Sequence, residues 1–176
     1  ALAITCPHCA AAQITKARHS GSLPAPAPEP GDLHTDLKGP FPISINGYKY
    51  AIFFFTDEFS RYVFVRFLKS KSESEQIHAT KSVIAEFNSM VFTPTTSDGR
   101  PLPRSTVRHI RRDHESAMES HGFESFRVDE GFHTTASPPH DHDLNPISER
   151  VNRTISEKAT AMNSLANGPP AFWAHA

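Results

Sequence analysis

The chain has 176 residues and a mass of 19.5 kDa, with 38% apolar and 21% charged residues. That is one domain's worth of sequence with enough apolar content for a core, which argues against a wholly disordered polymer. Lys and Arg number 18 against 19 Asp and Glu, a net charge of −1, so a uniformly basic nucleic-acid binder is excluded while a local basic face is not. No apolar run approaches the roughly 18–20 residues of a membrane span. The start is too short and uncharged for a signal peptide, so an intracellular setting is the default expectation.

Three zones follow one another. Residues 1–20 carry Cys6 and Cys9 and a small basic cluster, Lys16, Arg18 and His19. Two cysteines three positions apart suit half of a metal clip or a redox pair better than a disulfide framework. Residues 21–31 read GSLPAPAPEPG; alternating proline removes backbone donors and favours an extended, stiff spacer. A folded pattern begins at Asp32 and defines a domain over 32–176.

Within that domain a short strand is predicted at Leu33–Leu37, stopped by Gly39-Pro40. Tyr48 to Thr56 is nearly continuous in apolar and aromatic residues, as in a central strand covered on both faces. Asp57 to Ser60 is a turn, and Arg61 to Leu68 returns antiparallel. Ser72 with Glu75 has the form of a capping box, and a helix follows to about Val91, with Ile77, Ile84, Phe87 and Val91 on one stripe. Residues 93–105 read as a surface loop. Thr106 to Arg112 is a strand ending at Asp113, 114–121 a short helix, and Gly131 to Ala136 a further strand. After the polar loop 137–146, Pro146 opens a long helix through about Leu165. The order β-β-β-α-β-α-β-α predicts a mixed sheet with helices on its faces, the pattern of a ribonuclease H-like domain among other α/β folds.

Asp36 and Asp113 fall near strand ends and Glu149 in the first turn of the last helix, which are places where side chains leave a packed core. Three such carboxylates can share two hard divalent cations, and a pair of ions about 3.5–4 Å apart clamps both oxygens of an in-line phosphoryl displacement. Spacing alone does not decide this, because among 19 acidic residues some triple shows any chosen interval. Glu149, Arg153 and Glu157 are spaced to share a helix face, where Arg153 either reaches a phosphate or pairs with its glutamates. Arg104, Arg108, Arg111 and Arg112 form a second basic cluster, which strand alternation divides between two faces. His133, His140 and His142 read as solvated loop histidines.

The words around these carboxylates resemble the integrase core of copia-type retrotransposons. They are His34-Thr35-Asp36 with Gly39-Pro40, Asp57 to Tyr62, Phe67 to Glu73, then Ser137, Pro139, Asn145, Glu149-Arg150 and Asn152 to Ile155, and last Phe172-Trp173 with Ala176. The resemblance implies a ribonuclease H-like mixed five-stranded sheet and a D,D-35-E triad of Asp36, Asp113 and Glu149. It also implies two Mg²⁺ or Mn²⁺ ions and metal-dependent DNA 3′-end processing and strand transfer. Element-end and target DNA are the implied partners, contacted by Asn145, Arg150, Asn152 and Arg153, with a homo-oligomer in the full-length protein and no membrane. It further implies a nuclear site of action with a cytoplasmic phase in element particles, and a core cut short at its C-terminal end. Cys6 and Cys9 look like the last two ligands of an HHCC zinc module, which holds Zn²⁺ only with its upstream ligands. The sequence departs from the family where His114-Glu115 replaces Asn-Gly after Asp113, and where His140 to Pro146 precede Glu149. A second reading therefore stays open, an inactive remnant that at most binds nucleic acid or self-associates.

Overall fold

A computed structural model describes residue 27 and residues 29–90, 106–112, 119–136 and 146–175; the side chains of 51–54, 146, 148 and 149 fall outside this description. Strands β1 (Asp32–Thr35) and β2 (Leu37–Lys38) lie in line, separated by Asp36. They are followed by β3 (Tyr50–Asp57), β4 (Val63–Leu68), helix α1 (Glu73–Ser89) and β5 (His109–Arg112). Helix α2 (His121–Glu130), β6 (His133–Ala136), helix α3 (Pro146–Leu165) and a 3₁₀ helix (Pro170–His175) complete the order.

Because β1 and β2 occupy one strand position, the mixed sheet has five positions, ordered β4–β3–β1/β2–β5–β6. The first three run antiparallel to their neighbours, while β1, β5 and β6 are parallel. This is the ribonuclease H-like arrangement, with helices flanking the sheet.

Alternation along β4 sorts the two faces. Phe64 and Leu68 are buried on the side of α1, where the Phe64 and Phe87 rings lie 6.1 Å apart. There the core gathers Leu33, Phe55, Val83, Phe87, Ile110, Phe123, Phe126 and Phe132. On the other face Phe67 meets Trp173 edge-on at 5.6 Å, and Trp173 lies 4.5 Å from Phe41 and donates its indole N–H to the Pro42 carbonyl at 2.6 Å.

Several local expectations are corrected. The first strand is not continuous over Leu33–Leu37 but breaks at Asp36. Opposite the break, the three steps from His34 to Leu37 face the four from Thr56 to Ile52. The β3–β4 register also shifts between Ile52 and Phe55. One extra residue in β3 is a bulge, which bends the strand and re-aims its neighbours.

At α1, Ser72 caps Glu75 N–H as predicted, but the Glu75 carboxylate accepts from the N–H groups of Lys69 and Ser70 rather than from Ser72. The box is thus not reciprocal, and Glu75 ties the helix to the end of β4. The buried stripe of α1 is Gln76, Ala79, Thr80, Val83, Ile84 and Phe87, wider than the apolar residues alone indicate; Val91 lies outside the described residues. The helix expected at 114–121 lies mostly outside the described residues, and a helix not predicted, α2, begins at His121 behind the Ser120 cap and ends at Gly131 in the left-handed conformation. Residues 113–118 lie outside the described residues. So do Cys6 and Cys9, and among the described residues no zinc-module remnant is evidenced.

Candidate active site

Asp36 sits half-buried in the break between β1 and β2. One of its carboxylate oxygens accepts a hydrogen bond from the side-chain amide of Asn152, which is 8% exposed. Two residues on, Lys38 donates its ammonium to Ser156 Oγ at 2.7 Å. These two rungs hold α3 against the strand pair. They also fix its orientation, since Asn152 and Ser156 lie one turn apart on the same helix flank. Asn152 Oδ1 is buried with no hydrogen-bond partner among the described residues.

The other two predicted carboxylates are only partly in view. Glu149 belongs to the first turn of α3, three residues before Asn152, and its side chain lies outside the described residues. Asp113 and Asn145 lie outside them altogether. The chain is described up to Arg112, which pairs with Thr35 across the parallel β1–β5 ladder. Among the described residues no group of three His, Cys, Asp or Glu could hold a metal ion.

The predicted DNA contacts divide. Arg150 and Arg153 are exposed on α3, and Arg153 stands 3.9 Å from Glu157, a loose i,i+4 pair. Asn152 is buried and spends its amide on Asp36. The second basic cluster is split as alternation requires. Arg111 is exposed, Arg108 pairs with Glu29 and Asp32, and Arg112 turns toward Glu119 at 3.8 Å. Burial lowers the Arg112 pKa and Glu119 partly restores it. Arg104 lies outside the described residues and His133 is exposed.

Two features beneath the site were not read from the sequence. His34 Nε2 lies 3.1 Å from Glu58 Oε2, and both side chains are buried. Asp57 is fully buried, accepting from Gly31 N–H at 2.9 Å, Ser60 N–H at 2.7 Å and the Ser60 hydroxyl at 2.6 Å. The available signal was the polar pair Asp57-Glu58 ending an apolar strand, since a buried carboxylate needs such partners.

No family model matches the chain. It is 32% identical over 145 residues to the retrovirus-related Pol polyprotein from transposon TNT 1-94 of Nicotiana tabacum, covering 82% of this chain and 10% of that protein. It is 27% identical over 146 residues to the Pol polyprotein from transposon RE2 of Arabidopsis thaliana, covering 82% and 9%. The chain therefore spans about a tenth of the length of the curated relatives it matches. Among solved structures, the catalytic core domain of BIV integrase superposes with a TM-score of 0.54 at 14% identity, over 81% of this chain and 77% of that one. A chain of the simian T-cell lymphotropic virus intasome in complex with PP2A regulatory subunit B56 gamma superposes at 0.58 and 20% identity, over 86% and 52%. The fold is that of a retroviral integrase catalytic core, and the sequence is similar to a segment of retrovirus-related Pol polyproteins.

Proposed function

We propose that the chain is the catalytic core of a copia-type retrotransposon integrase, which trims element-end DNA and joins it to target DNA. The observation that carries this reading is Asp36, set in a strand break and bonded to the helix that bears Glu149. The register supports the second carboxylate, because Thr35 pairs with Arg112 and each is followed at once by an aspartate, Asp36 and Asp113. Helical spacing supports the third, because Glu149 precedes Asn152 by three residues and i,i+3 positions are neighbours on a helix surface.

Asp36, Asp113 and Glu149 would hold two Mg²⁺ or Mn²⁺ ions. The donor chemistry at Asp36 fits hard cations, which take oxygen ligands, and the unpartnered Asn152 Oδ1 adds a buried carbonyl oxygen on the residue that binds Asp36. When bound, such ions lower the pKa of water or a hydroxyl and offset charge on the reacting phosphate. The chain's own work is positioning. Asn152 fixes the Asp36 carboxylate, while Arg150, Arg153 and Asn145 are the proposed phosphate contacts.

No protein nucleophile takes part. Water first attacks a phosphodiester near the element end, forming one P–O bond as the bond to the 3′-oxygen breaks. The freed 3′-hydroxyl then attacks a target phosphodiester and displaces its 3′-oxygen. Joining two ends calls for a multimer, and the proposed site of action is nuclear after a cytoplasmic phase. Cys6 and Cys9 keep their proposed place in a zinc module that requires two further ligands.

Calorimetric titration with Mn²⁺ tests the reading. Binding by the wild-type chain that is lost in Asp36→Asn is expected, together with metal-dependent nicking and joining of DNA ends abolished by Asp36→Asn, Asp113→Asn or Glu149→Gln. Absence of Mn²⁺ binding, or binding unchanged in Asp36→Asn, would replace this reading with the inactive remnant.

A further inference from the structure

Lys38 is the charged group that the proposed triad leaves unexplained. It lies two residues beyond Asp36, and both side chains reach the same helix. Its ammonium is part-buried under α3, and its hydrogen-bond partner there is the neutral hydroxyl of Ser156 at 2.7 Å. Among the described residues no carboxylate forms an ion pair with it. An ammonium loses hydration when its surroundings close in, and a single hydroxyl restores little of that loss, so such a site favours an anion.

The spacing points to which anion. Two residues of extended chain span about 7 Å, close to the step between successive phosphates on one DNA strand. Asp36 and Lys38 thus offer adjacent stations along the strand pair, one for a phosphate held through divalent metal and one for a phosphate held directly. The exposed guanidiniums of Arg150 and Arg153 lie on the same helix that buttresses both stations.

We infer that Lys38 binds the DNA backbone phosphate next to the one at Asp36, with Ser156 orienting its ammonium. The inference rests on the proposed integrase reading, since it names a contact to that reading's substrate. It makes Lys38 a source of affinity that is independent of base sequence.

The test is fluorescence anisotropy of a labelled blunt-ended DNA duplex with the full chain in Mg²⁺, repeated over a range of salt. Each phosphate neutralised contributes about 0.9 to the slope of log affinity against log salt on B-DNA. Lys38→Gln is expected to lower that slope by about 0.9, Lys38→Arg to keep it, and Ser156→Ala to keep it while weakening binding slightly. Circular dichroism melts of each variant establish that the fold persists. A Lys38→Gln slope equal to wild type overturns the inference and leaves the integrase reading standing. So does equal loss of slope in Lys38→Gln and Ser156→Ala, which would mean that Lys38 acts only through the rung that holds α3 and not on a phosphate. A wild-type chain that binds no DNA overturns the integrase reading and the inference together.

Discussion

His34 and Glu58 show how much the site leans on polar contacts below its surface. Their 3.1 Å contact is sealed from solvent, in a layer where an unsatisfied partner has no water to turn to. Removing one member takes a hydrogen bond from the other where water cannot replace it, at a cost of about 1–3 kcal/mol. Glu58→Ala is therefore expected to lower the unfolding free energy, read from urea denaturation, by that amount, whereas Glu157→Ala, whose ion pair is loose, should leave it nearly unchanged. Gly31 is constrained for a different reason. Its φ of +118° is foreign to L side chains, and an added Cβ would stand 2.4 Å from the Thr106 carbonyl oxygen. At this residue scale the word His34-Thr35-Asp36 marks Asp36 as a candidate, but nothing local marks the Asn152 amide that bonds to it. That contact joins positions 116 apart in the chain, and no local pattern carries it.

At the scale of elements, the parts with strong local signals were legible. The hydrophobic run of β3, the Ser72 cap of α1 and the Pro146 start of α3 follow from side-chain period and capping chemistry, and the structure keeps all three. Helix α2 was missed because its first turn holds His121 and Gly122, poor helix formers. Its real anchor is tertiary, with Phe123 and Phe126 packed edge-on against each other at 5.6 Å and against Phe132 at 6.4 and 5.4 Å. The bulge in β3 was hidden for a related reason, since register depends on which strands become neighbours. Helix α1 supplies the element-scale prediction. Phe87 is fully buried against Phe64, so Phe87→Ala should cost about 3–5 kcal/mol, read as an earlier denaturant midpoint with an unchanged slope.

Across the whole molecule, three parallel strands lay a row of titratable groups over one face of the sheet. Asp32, His109 and His133 are paired in register, and Thr135 shares a hydrogen bond of 3.0 Å with the His109 ring. Burial holds the His109 pKa below its ordinary value, Arg111 pushes it the same way, Asp32 pulls it up, and His34 and His133 add smaller repulsion. The folded chain thus takes up that proton less readily than the unfolded chain. The stability this supplies is present in full above the ordinary histidine value and is lost as pH falls through the lowered one. Thermal melts between about pH 7 and 5 should therefore show a shallower acid loss in His109→Asn than in wild type. Equal slopes would place the acid sensitivity elsewhere.

Asp36 belongs to neither strand that flanks it, so the residue proposed for the chemistry is not one on which the ladder's hydrogen bonds depend. Its carboxylate nevertheless accepts a hydrogen bond from the buried Asn152 amide, so drift at that point removes the proposed chemistry and also costs about 1–3 kcal/mol wherever that amide loses its partner. Proteostasis machinery removes chains by their unfolded fraction and is blind to turnover. On the proposed reading, a genomic copy silenced there by a substitution that still accepts the amide, such as Asp36→Asn, would go on yielding a folded look-alike that competes with its working siblings for the same nucleic acid.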